Sequence, residues 1–222
     1  MLRKIGFALL LFVGLLPLPA LAKPPVPANP AILAVLQRVE TKLVDSAYVP
    51  VARVDERRGI YRFDCSAMAN WVLRQVAPEA RRNVKEGRPA ARDFAAAIQR
   101  ARSDKPVRGW LRIERFADAQ PGDVLAWRRP PWFPSRNTGH VAFVVKAPVP
   151  VPGGYVIRIA DATSLAHEHD SRQNTGGYGT GDLGITVDAS TGQGSGYGWF
   201  GAASLAAGYA IPTPIWIGRV YK

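Results

Sequence analysis

The spacing of apolar residues changes period partway along the chain, and that change restricts the fold more than any single residue does. In the first half the spacing is helical. Ile32, Val35, Leu36, Val39 and Leu43, separated by Gln37, Arg38, Glu40 and Lys42, predict an amphipathic helix from Ala31 to about Val44. Met68, Val72 and Val76 predict a second helix after Cys65, stopped by Pro78, and Phe94, Ala97 and Ile98 predict a third over Arg92 to Arg102. From Pro121-Gly122 onward the apolar runs shorten to strand length: Asp123 to Trp127, His140 to Val145, Tyr155 to Ala160, then Leu183 to Val187 and Ile215 to Tyr221. Proline and glycine clusters, above all Pro148 to Gly154, separate them. Helices followed by a mostly antiparallel sheet describe an α+β domain, with N-terminal helices packed on the sheet.

The first 22 residues have a different character. Arg3-Lys4 precede an apolar run from Ile5 to Leu16, then Pro17, Pro19 and Ala20-Leu21-Ala22, the pattern of a cleaved signal peptide. The apolar run is too short to cross about 30 Å of hydrocarbon as a membrane anchor. Residues 23–30, rich in proline, read as a mobile extended leader, and residues 31–222 as a single domain. The expected location is therefore secreted or periplasmic, with no stable membrane insertion after cleavage. The chain has 29 Lys+Arg against 17 Asp+Glu, a net charge of +12 that favours an anionic partner. Nucleic acid is disfavoured, because no basic run is interleaved with aromatics and export removes the opportunity. A carboxylate-rich or phosphate-rich polymer of the cell envelope fits better.

Export makes the single cysteine informative. Cys65 has no partner for an intramolecular disulfide, so it is either a small core hydrophobe or a reactive thiol. It follows Tyr61-Arg62-Phe63-Asp64 at the predicted start of a helix, where the helix dipole and a neighbouring imidazolium lower a thiol from about 8.5 and favour thiolate. An imidazole is expected from His140, which opens a strand. On the next strand Tyr155, Ile157 and Ile159 share a face, and Asp161 continues that alternation, so its carboxylate points inward and needs a partner. A hairpin through the Pro/Gly stretch brings Asp161 to His140. The competing reading of Asp161 is a turn or capping residue before Ala162-Thr163-Ser164.

Phe63-Asp64-Cys65-Ser66, then Gln120-Pro121-Gly122-Asp123-Val124-Leu125, then Thr138-Gly139-His140-Val141-Ala142 occur in the order seen in the NlpC-like cell-wall cysteine peptidases and the related CHAP amidases. The chain resembles that family from about Tyr48 to Asp161. The resemblance implies a papain-like core, with Cys65 as nucleophile, His140 as base and Asp161 as the residue orienting it. It implies thiol-protease chemistry on an amide bond of peptidoglycan stem peptides or another anionic envelope polymer; no cofactor and no metal are expected. The chain has Ala67 where the family usually has glycine. For the family's upstream tyrosine it offers Tyr48 and Tyr61; Tyr48 is the expected oxyanion donor and Tyr61 a substrate contact. Trp132, in a Pro-Pro-Trp-Phe-Pro loop before His140, and His167 are further expected substrate contacts.

Two other functions compete with a cysteine hydrolase. A zinc-dependent cell-wall peptidase would use His140 with the pair His167-Glu168-His169, but the position seven after His140 is Ala147 where such enzymes carry a carboxylate. A non-catalytic envelope-binding module would use the basic surface and Trp110, Trp127, Trp132 and Trp199. The glycines of Gly176 to Gly184 lack a following Lys-Ser/Thr and helix, so they read as turns or a flexible flap rather than a phosphate loop.

Overall fold

The computed structural model describes residues 24–172 and 176–222, so the expected signal peptide lies outside the described residues. Among the described residues, no helix is long and apolar enough to cross a membrane. The predicted helices form with small shifts at their ends. Helix α1 (Asn29–Lys42) has Pro30 in its first turn, where a missing N–H costs nothing, and buries Ile32, Val35, Leu36 and Val39. Strands β1 (Asp45–Ala47), β2 (Arg53–Asp55) and β3 (Ile60–Arg62) form a small separate sheet in the order β1-β3-β2. Helix α2 (Cys65–Val76) is capped by the Asp64 carboxylate, which accepts the Ala67 N–H at 2.7 Å. Pro78 ends α2 and opens the short α3 (Pro78–Arg82), and α4 (Ala91–Arg100) buries Phe94, Ala95, Ala97 and Ile98.

The second half is β4 (Trp110–Ile113), β5 (Val124–Arg128), β6 (Gly139–Val144), β7 (Val149–Val151), β8 (Gly154–Thr163), β9 (Gly177–Val187), β10 (Gly194–Gly198), the short helix α5 (Gly201–Ala206) and β11 (Ile211–Val220). Here the structure corrects the expected fold. The strands do not make an open sheet under a layer of helices in a papain-like α+β core. Strands β10, β9, β8, β6, β5 and β11 pair in sequence, and β10 also pairs antiparallel with β11, which closes six strands into an antiparallel barrel with β4 and β7 outside it. The closing strand, Gly194-Ser195-Gly196-Tyr197-Gly198, has no apolar alternation, so its role was not readable from pattern.

Closure explains why β5 and β6 are apolar on both faces. Leu125, Trp127, Ala142, Val144, Ile157, Ile159, Leu183, Ile185, Ile215 and Ile217 fill the barrel interior, as side chains must in a barrel of so few strands. Val124, Ala126, Val141, Phe143, Ala160 and Ala162 face outward, and α1, α2 and α4 cover them with Leu36, Met68, Leu73, Phe94 and Ile98. Asp123 of the Pro121-Gly122-Asp123 turn ties α1 to β11. Its carboxylate, fully buried, accepts from Asn29 of α1 at 2.9 Å and from Arg219 of β11 at 2.9 Å through both oxygens.

The leader expected to be mobile is held in place where it is described. The Ala28 N–H donates to the Val220 carbonyl at 2.8 Å, the Lys222 N–H donates to that of Val26 at 2.9 Å, and Ala28 is fully buried. Proline prevents a helix there without preventing edge pairing.

Candidate functional site

The site is built where α2 meets the first residues of β6. Gly139 takes φ +126, and a Cβ there would lie 2.0 Å from the Trp127 carbonyl oxygen, so only glycine lets β6 begin so close to β5. His140 follows with 7% exposure, its ring 5.1 Å from the Trp127 ring and 5.2 Å from the Trp199 ring. On β8, Asp161 lies on the face of Ile157 and Ile159 and is fully buried. Its Oδ2 is 2.5 Å from His140 Nε2, a hydrogen bond between the two residues expected to pair. Among the described residues His140 Nδ1 has no hydrogen-bond partner.

Cys65 is the first residue of α2 and is buried, packed in the cluster that includes Val141 and Ala162. A cavity of about 240 Å³ opens beside it, lined in part by Tyr48, Asp64, Ser66, Arg88, Thr138 and Gly139. No hydrogen bond joins Cys65 to His140 among the described residues; the backbones of Val141 and Ser66 are the groups that stabilise its thiolate. Burial, reinforced by the carboxylates of Asp64 and Asp161, pushes the thiol up to about 12. This reverses the expectation of a thiolate. The positive end of α2 is already taken by Asp64, whose Oδ1 also accepts from Ser66 Oγ at 2.8 Å and whose Oδ2 bonds Arg88 at 3.1 Å.

The other expected residues separate. Tyr48 lines the cavity with 40% exposure, and burial with the nearby Cys65, Asp64 and Asp161 charges raises its phenol above the ordinary value, keeping it a donor. Tyr61 is not at the site: it is fully buried on β3, edge-on to Trp71 at 5.9 Å. Trp132 is 61% exposed, stacks edge-on with Phe133 and does not line the Cys65 cavity. His167 is in the interior and not at a surface where substrate would reach it, with Nε2 2.9 Å from the same Asp161 oxygen.

Compared with known proteins, the chain matches no family model, no curated protein and no solved structure.

The H-x-H pair considered for zinc is split by the fold. His169 is exposed and bonds Asp182 at 3.0 Å, whereas His167 turns inward. The donor atoms of His140, Asp161 and His167 lie within 4.8 Å of one another, the one grouping of described residues that could hold a metal. Sequence reasoning missed Arg172, whose guanidinium donates to Asp161 Oδ1 at 2.5 Å and stands in an ion pair with Asp170 at 3.1 Å, and it missed Asp170 itself. The available signal was the alternation of glycine in Gly177, Gly179 and Gly181. These belong to β9 and are neither a flap nor turns, and a Cβ at Gly179 would meet Arg172 at 2.5 Å while one at Gly181 would meet His167 at 2.7 Å. Glycine opposite Asp161 and Ile159 leaves the space through which the His167–Arg172 segment reaches the carboxylate.

Together these charges hold Asp161 ionised. Burial alone would raise its carboxyl, but the charge of His167 and the hydrogen bonds from His140 and His167 hold it well below the usual carboxylate range. The arrangement can orient one imidazole through Nε2 and leave its Nδ1 free to take a proton, which is general-base geometry.

Proposed function

We propose that the protein is a secreted cysteine hydrolase that cleaves an amide bond in peptidoglycan stem peptides. The observation that carries the reading is the buried His140–Asp161 hydrogen bond, which leaves His140 Nδ1 unpartnered on the strand that Cys65 packs against. The three sequence markers shared with NlpC-like peptidases and the excess of basic residues supply the substrate class and the envelope location.

In this mechanism His140 removes the Cys65 proton as sulfur attacks the carbonyl carbon, and a C–S bond forms while the carbonyl oxygen takes the negative charge. Tyr48 and the Cys65 N–H donate to that oxygen. His140 then gives its proton to the departing amine, leaving a thioester, and afterwards activates water to hydrolyse it. Because the resting thiol is protonated, the base acts during the attack and not before it. Muropeptides incubated with wild type should yield new products by mass analysis, and Cys65→Ala and His140→Ala should yield none, with activity unaffected by chelators. Cleavage by Cys65→Ala that stops on chelation and returns with zinc would overturn the reading. The high thiol value favours one second reading, an envelope-binding module of the same chain; peptidoglycan sedimentation by both wild type and Cys65→Ala without cleavage by either would establish it.

A further inference from the structure

A second groove lies where β11 changes partners. On one edge β11 pairs with β10 as far as Ile215 and with β4 from Ile217 onward, so Trp216 stands at the gap between them. Ile215 and Ile217 point into the barrel, which turns Trp216 outward, where it packs against the outer cluster and stays half-buried. A cavity of about 480 Å³ opens over it, between the end of β4 and the β9–β10 turn, with Arg112, Glu114, Arg115, Thr191, Gln193 and Trp216 in its wall. That volume falls within the range of about 300–1,000 Å³ typical of small-ligand sites. None of these residues lines the Cys65 cavity.

The walls are fixed by the protein's own bonds. Arg112 donates to the Gln99 carbonyl of α4 at 2.8 Å and to Glu114 at 3.2 Å, which sets a guanidinium and a carboxylate side by side. Opposite them, Asp188 Oδ1 accepts from the Thr191 N–H at 2.8 Å and from its hydroxyl at 2.9 Å. The Phe116 N–H joins this turn to the segment after β4 through the Gly192 carbonyl at 2.9 Å. Gly192 takes φ +73, and the Arg115 stem passes over it, 3.6 Å from where a Cβ would stand. Arg115 is exposed and Gln193 half-buried, and among the described residues neither side chain has a hydrogen-bond or ion-pair partner.

This set suits one ligand chemistry. A tryptophan ring offers a flat apolar surface to the face of a sugar ring, while a guanidinium, a carboxylate and a carboxamide supply donors and acceptors for its hydroxyl and amide groups. An unpaired guanidinium calls for an anion. Glu114 argues against a polyphosphate, because a carboxylate repels charge repeated at every unit. It accepts hydroxyl hydrogens, which sugars have and polyphosphate lacks.

We propose that this groove is a second binding site, for a saccharide whose rings carry carboxylates. Trp216 stacks on one ring, Arg115 takes the carboxylate, and Arg112, Glu114 and Gln193 bond hydroxyl and N-acetyl groups. Gln193 and Trp199 flank β10 and so stand roughly 20 Å apart at about 3.3 Å per residue, and Trp199 is the ring against His140. The groove therefore holds the glycan of a polymer while its peptide lies at Cys65. That last step rests on the cysteine-hydrolase reading; binding in the groove does not.

The test is calorimetric titration of the full-length protein with peptidoglycan glycan strands stripped of their stem peptides, whose muramic residues each carry a carboxylate. The strands contain no stem-peptide bond, so binding is read whether or not Cys65 is catalytic, and wild type and Cys65→Ala should bind alike. Arg115→Gln and Trp216→Leu should each weaken binding at least about tenfold. Arg115 is exposed and unpartnered among the described residues, so its variant should fold as wild type does. Arg57→Gln, the same loss of charge at an exposed position between β2 and β3, should bind as wild type does. Oligomers of N-acetylglucosamine, which lack the carboxylate, should bind more weakly and with no difference between wild type and Arg115→Gln. Absence of binding, or an equal loss in Arg57→Gln, would overturn the proposal. So would inorganic polyphosphate binding as tightly as the strands, or a loss in Arg88→Gln of the Cys65 cavity with none in Arg115→Gln. Strand binding at the groove without any muropeptide cleavage would overturn only the step that joins the two sites.

Discussion

A reactive cysteine is usually recognised by an electropositive, partly exposed setting, and Cys65 has neither property. Helix position alone was a poor guide, because the residue before it, Asp64, uses its carboxylate as the N-cap and cancels the field that would stabilise a thiolate. Burial then raises the thiol from 9.0 to about 12. Two consequences follow for pH. Alkylation of Cys65 should be slower at pH 7 than that of free cysteine and should keep rising with pH well past 9, read by intact-protein mass. Since the folded value is raised, the thiol's contribution to stability is complete below about 9 and is lost as pH rises toward about 12. Asp64→Ala removes a nearby negative charge as well as a cap, so it should speed alkylation while costing about 1 kcal/mol of stability in urea unfolding. Slower alkylation in Asp64→Ala would show that Asp64 does not set the thiol's charge.

At the scale of elements, β9 and the segment that crosses it form one device. Leu183 and Ile185 face the barrel interior, but Gly179 and Gly181 carry no side chain where His167, Asp170 and Arg172 must lie. Alternating glycine looked like loop chemistry because strand interiors normally avoid it. Here the omitted side chains are what admit a charged segment to a buried carboxylate. Gly181→Val would set a Cβ 2.7 Å from that of His167 and 2.8 Å from an Asp170 oxygen. It should displace the segment, lower stability by about 2–4 kcal/mol and expose Arg172, because ion pairs whose geometry is broken inside a protein lose more than surface pairs do. Hydrogen exchange in residues 167–172 that stayed as slow as in wild type would refute this role for Gly181.

For the whole molecule, closure of the barrel and the tie between α1 and β11 are one event, since β11 pairs with β10 and β5 and carries Arg219 to Asp123, which also holds Asn29. Asp123→Ala should leave Arg219 and Asn29 without their shared acceptor and cost about 3–5 kcal/mol, measured by chemical denaturation. A loss under 1 kcal/mol would mean that the clamp is dispensable. The amino-acid order by itself determined the local units: α1, α2 and α4 from helical spacing, β5, β6, β8 and β11 from short apolar runs, and an inward Asp161 from its place at the end of the Tyr155, Ile157, Ile159 alternation. Periodicity reports which face of an element is apolar, and that information is local. Which strands pair across the barrel seam, the burial of Tyr61 and His167, the exposure of Trp132 and the protonated state of Cys65 were decided only by tertiary structure. Each depends on what a distant segment places against the residue: β10 against β11, β9 under the His167–Arg172 segment, and the strand of Val141 against the thiol. Desolvation and pairing energies come from those neighbours, and no spacing along the chain encodes them.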